Sequence, residues 1–141
     1  MRRGTFVRLA ARLRRSRLGD DRGDAAIEMA IVLPVVVLFS FMVVQAGVWY
    51  YAKQIALTAA REGVQAATAY QSSDAAGSAR ARSVLDRVAG DSLLAPGVST
   101  VGSAERVTVT VTGRAPSLLP GVDGITISQS ASGARERWTN P

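Results

Sequence analysis

The sequence predicts an α+β protein. A single N-terminal transmembrane helix continues into a long extracytoplasmic helix, followed by a second short helix and a small two- or three-stranded antiparallel sheet. Three observations carry this expectation. Met29 to Ala52 contains no charged residue and is fenced by Glu28 and Lys53. Gln54 to Tyr70 stays rich in helix formers. Arg106 to Thr112 alternates valine with polar residues. The chain accordingly divides into a basic cytoplasmic leader (1–23), a membrane helix (24–52) and one external domain (53–141), whose roughly 90 residues suffice for a single modest core.

The leader holds eight arginines against Asp20 and Asp21. From Asp24 onward nine basic residues meet nine acidic ones, so the whole excess of +6 belongs to the first 22 residues. A basic flank beside an apolar run marks the cytoplasmic side of a membrane. The leader is expected to lie on lipid or in solution, and Gly19-Asp-Asp-Arg-Gly23 to end any helix before the span. The basic excess is confined to that leader, with no basic face interleaved with aromatics beyond it, so nucleic acid is not an expected partner.

The apolar run is long enough for the ~30 Å hydrocarbon core, which takes about 20 helical residues. Asp24 is placed to cap the helix and Glu28 to complement its dipole. Pro34 lies inside, where membrane helices tolerate proline and kink at it. Gln45-Ala-Gly-Val-Trp-Tyr-Tyr51 reads as the aromatic anchor at the outer interface. A secretory signal would have a shorter apolar centre, so retention is expected and cleavage at Ala46-Gly47 with release of the domain is a third reading, after the two given below.

Beyond Lys53 the same helix is expected to run to about Tyr70, making roughly 70 Å from Asp24 at 1.5 Å per residue. Ala59, Gly63 and Ala67 recur every four residues as a small-residue stripe, suited to close packing on the chain's own later segments or on another subunit. Gln71 to Gly77 reads as a capped loop. Ala79 to Ala89 reads as an amphipathic helix with Val84, Leu85 and Val88 inward, ended by Gly90. Val98–Val101, Arg106–Thr112 and Ile125–Ala131 are the strand candidates, with Pro116 to Gly121 as the last connection.

With no cysteine and no histidine in the sequence, disulfides, thiolate chemistry and imidazole chemistry are excluded. The carboxylates are scattered and Lys53 is the only lysine. No catalytic group, metal site, cofactor or small-molecule substrate is therefore expected, and the protein reads as a non-enzyme.

Gly23-Asp-Ala-Ala-Ile-Glu28, between a basic leader and an apolar run, resembles the processing site of type IV prepilins. The resemblance implies cleavage by a prepilin peptidase after Gly23, leaving Asp24 as the new N-terminus and Glu28 as the fifth residue. A carboxylate packed among apolar helices is costly unless paired, and a neighbour's new amine is the obvious partner. The run Ala25-Ala-Ile-Glu-Met-Ala-Ile-Val-Leu-Pro34, the Trp49-Tyr-Tyr51 end and Ala59-Ala-Arg-Glu-Gly63 resemble TadE-like pseudopilins of the tight-adherence (Tad) pilus system. That resemblance implies a single-pass protein of the cytoplasmic membrane, its N-terminus inside and its domain outside. Its partners would be membrane lipid and other pseudopilins or the inner-membrane platform, with Glu28, Pro34, Ala59, Gly63 and Ala67 in subunit packing and Ala60, Arg61, Glu62 and Gly63 as the family motif. Met29, Gln45 and Asp24 depart from the family pattern. The rival reading is an uncleaved signal-anchor protein with an external binding domain.

Overall fold

The computed structural model describes residues 5–135, with side chains from residue 23 onward. Helix α1 (Thr5–Thr68) is followed by α2 (Asp74–Val88), a 3-10 turn (Gly90–Ser92) and strands β1 (Leu94–Gly102), β2 (Arg106–Ala115) and β3 (Ile125–Ala134). The fold is α+β, with a three-stranded antiparallel sheet in the order β1-β2-β3. Two compact units divide the chain, Met1–Met42 and Val43–Pro141.

The first unit is helical throughout its described length. The break expected at Gly19 to Gly23 is absent, and Asp24 sits inside the helix rather than at its cap. A helix-interior glycine costs only about 1 kcal/mol relative to alanine, which helix formers on both sides offset. In the apolar run, Leu38 and Phe39 are 60% and 64% exposed. Ser40 donates back to the Val36 carbonyl at 2.8 Å, satisfying its hydroxyl within the helix. Among the described residues, α1 is the one helix long and apolar enough to cross a membrane, and none of its most apolar window is buried.

In the second unit, the C-terminal part of α1 and all of α2 cover one face of the sheet. The buried faces interlock because β2 turns Val107, Val109 and Val111 inward, each fully buried. Burying such a side chain stabilises by about 1.5–3 kcal/mol. The helices present mostly alanine to them (Ala52, Ala56, Ala59, Ala60 and Ala81), with Ile55, Val84, Leu85 and Leu93 filling between. Small helix residues against branched strand residues let the helix layer and the sheet approach closely.

Helix α1 stops at Thr68, whose hydroxyl donates to the Val64 carbonyl at 2.9 Å, and Gln71 takes a left-handed φ of 56° in the turn that follows. Helix α2 begins five residues before its expected start. Ser73 caps it by accepting from the Ala76 amide at 3.2 Å, so the supposed loop Asp74 to Gly77 is its first turn. Val88, the last residue of the helix, is 50% exposed rather than inward. Ala89 takes the inward place, and Gly90 adopts φ 45°, a left-handed exit that suits glycine.

β1 is longer than expected. Its pairing with β2 shifts between Leu94 and Gly97, where Ala95 has φ 48° and Pro96 cannot donate. β2 and β3 pair without a break over ten residues, from Arg106–Ala134 to Ala115–Ile125. The hydrogen bond between the Thr108 and Ser132 hydroxyls, 2.8 Å, ties the two strands on the outer face.

Candidate functional site

In the first unit, the residues singled out from the sequence lie on the surface of α1. Gly23, Asp24 and Glu28 are exposed. A Cβ built on Gly23 would meet nothing within 4 Å, so no packing within the chain requires a glycine there. Pro34 lies in the helix interior and is also exposed. What this stretch offers chemically is an apolar cylinder with two exposed carboxylates, Asp24 and Glu28, near its start.

In the second unit the motif residues separate by role. Ala59, Ala60, Gly63 and Ala67 are buried within the chain. A Cβ on Gly63 would stand 2.9 Å from the Gly77 carbonyl oxygen, 3.1 Å from the Ala81 Cβ and 3.1 Å from Val109. The stripe Ala59-Gly63-Ala67 is therefore taken up by α2 and β2 and offers no surface to another subunit. Glu62 accepts from the Arg80 guanidinium at 2.7 and 3.1 Å, linking α1 to α2. Both side chains are more than a third exposed, so the pair contributes under about 1 kcal/mol. Arg61 is exposed, with no salt-bridge partner among the described residues.

Three sets of contacts were not legible in the sequence. Gln45 uses both ends of its amide on the loop after β2. Its Nε2 donates to the Pro116 carbonyl at 3.1 Å, and its Oε1 accepts from the Leu118 amide at 2.9 Å. A carboxylate at this place could accept but not donate. Trp49 is half-buried against the core, with the Lys53 Nζ 4.5 Å from its ring centroid, while Tyr50 and Tyr51 are exposed. The expected aromatic anchor thus divides into a core residue and two free tyrosines. Finally, Asp74 in the first turn of α2 pairs with Arg135 just past β3.

No group of three or more histidine, cysteine, aspartate or glutamate side chains that could hold a metal occurs among the described residues. The carboxylates Glu62 and Asp74 each meet an arginine, an arrangement that links α1 to α2 and α2 to the end of β3.

Residues 23–65 match the TadE-like protein family. This stretch is TadE-like. No curated protein and no solved structure matches the chain. The TadE-like segment begins at Gly23 and ends just past the Ala60-Arg-Glu-Gly63 motif. It holds the apolar part of α1, Gln45, Trp49 and the α1 residues of the core from Ala52 to Val64. Strands β1, β2 and β3 lie outside it.

Proposed function

We propose that the chain is a non-enzymatic, single-pass component of Tad-type pilus biogenesis, anchored in the cytoplasmic membrane by the 24–52 part of α1 with residues 53–141 on the outer side. One observation carries the reading: the TadE-like match runs from Gly23 through Glu28 and Pro34 to the Ala60-Arg-Glu-Gly63 motif. The exposed apolar helix supports it, since so much uncovered apolar surface requires lipid or protein around it.

In this reading a prepilin-type peptidase cuts after Gly23. The glycine lowers the cost of opening the helix for a protease cleft, by about 1 kcal/mol relative to alanine. Glu28 then lies near the start of the mature chain. Desolvated between packed spans, it requires a positive partner, and the free amine of Asp24 on a neighbouring subunit supplies one. Pro34 removes a backbone donor from the same packed stretch. The partners are membrane lipid and other pseudopilins or the inner-membrane platform.

Deleting the gene and scoring pili, together with co-purification of the detergent-extracted protein, tests the role. Loss of pili with recovery of pilus-machine subunits is expected. Normal piliation and no associated subunit would overturn it.

The continuity of α1 through Gly23 favours a second reading, in which the leader is kept and the protein is an uncleaved signal anchor with an external binding domain. That reading predicts full function when Gly23 is replaced by a bulky residue.

A further inference from the structure

The sheet has a face that neither helix covers. Because side chains alternate along a strand, the buried valines of β2 leave Arg106, Thr108, Thr110, Thr112 and Arg114 on the opposite side. β3 sets a serine across from each of the three threonines. None of the register partners of this row, on β1 or on β3, is acidic. Arg106 and Arg114 are both exposed, and neither has a salt-bridge partner among the described residues. At ~3.4 Å per residue, the two guanidinium groups are rooted about 27 Å apart, with hydroxyls roughly 6.8 Å apart along the strand and ~4.8 Å apart across it.

We propose that this face docks the peptidoglycan of the cell wall, a glycan of N-acetylated sugars whose free carboxylates are carried on short stem peptides. Two isolated cations across some 27 Å match a polymer whose negative charges are sparse, and each guanidinium is shaped for a bidentate carboxylate. The hydroxyl rows between them both donate and accept, as sugar hydroxyl and acetamido groups require. Other partners fit worse. A nucleic acid carries far denser charge, and single strands are held by aromatic stacking, which this row lacks. A protein interface would have an apolar or aromatic centre, whereas the centre of this face is threonine and serine and its exposed apolar residues, Val101 and Leu94, lie on the edge strand β1.

The proposal rests on the reading that residues 53–141 lie outside the membrane. It does not depend on cleavage at Gly23 or on pilus assembly, and a binding assay with purified protein fails or succeeds independently of either.

The experiment is co-sedimentation of the full chain, in phosphatidylcholine nanodiscs, with purified peptidoglycan sacculi. Sacculi whose carboxylates have been converted to amides, and soluble polyglutamate as competitor, supply the comparisons. Wild type is expected to sediment with native sacculi, and the double variant Arg106→Glu/Arg114→Glu to bind them at least about tenfold more weakly. Amidated sacculi should lose binding without any change to the protein, which covers the case of a variant that folds poorly. Thr110→Val/Ser130→Ala should weaken binding with both arginines intact. No sedimentation of wild type, equal binding of amidated sacculi, or full competition by polyglutamate at matched charge would overturn the proposal.

Discussion

Gly63 on α1 and Gly77 on α2 meet where the two helices cross, each against the other's backbone. A Cβ on Gly63 would stand 2.9 Å from the Gly77 carbonyl oxygen, and one on Gly77 would stand 2.8 Å from the Gly63 carbonyl oxygen and 2.7 Å from the Ala67 Cβ. No real Cβ tolerates such distances from backbone, so the crossing exists only because both positions lack one.

Gly63→Ala and Gly77→Ala should each destabilise the second unit by about 1–3 kcal/mol, the usual cost of overpacking, despite the better helix propensity of alanine. Gly47→Ala is the control. It lies on the same helix with nothing within 4 Å of its Cβ, so it should be neutral or stabilise by up to ~1 kcal/mol. Thermal unfolding in detergent distinguishes the pair, and equal melting of Gly63→Ala and Gly47→Ala would contradict the close crossing.

Gln45→Glu tests the amide bridge to the loop after β2. The carboxylate keeps the Leu118 amide but faces the Pro116 carbonyl with a second acceptor. A loss of about 1–2 kcal/mol is expected, with increased proteolysis between Pro116 and Gly124. An unchanged melting temperature and digestion pattern would show that the loop is held by other contacts.

Much of this was legible in the sequence where one side chain type repeats at one period. The valines of β2 announced both the strand and its buried face. The start of α2 was not legible, because Ser-Ser-Asp-Ala-Ala-Gly77 has the composition of a turn. Its Ser73 is a helix cap, and its Gly77 is the small residue that α1 demands from across the crossing. The first half of β1 was hidden by the bulge around Ala95 and Pro96. Gln45 was unreadable for a different reason: its two partners lie more than 70 residues away, and a polar residue beside an apolar run shows nothing of where its amide points.

Glu62 and Arg80 give a third expectation. A double-mutant cycle should return a coupling below ~1 kcal/mol, because both side chains remain in water. Arg61→Ala should leave stability unchanged within about 0.5 kcal/mol, as exposed substitutions do. If Arg61→Ala nevertheless abolishes pili, the exposed guanidinium is a contact to a partner. Normal piliation would confine the Ala60-Arg-Glu-Gly63 motif to folding.

Glu28→Ala separates anchoring from assembly. The variant should insert in the membrane like wild type and, under the proposed pairing with a neighbour's N-terminus, lose co-purifying subunits and pili. Pili and co-purification at wild-type levels would remove the case for a buried intersubunit carboxylate.

The most direct test of the central claim is the intact mass and N-terminal sequence of the protein taken from its native membrane. The account predicts a chain that begins at Asp24, freed of the arginine-rich leader and still membrane-bound. A membrane-bound chain that retains Arg14 to Arg22 would contradict prepilin-type processing and leave an uncleaved anchor carrying an external binding domain.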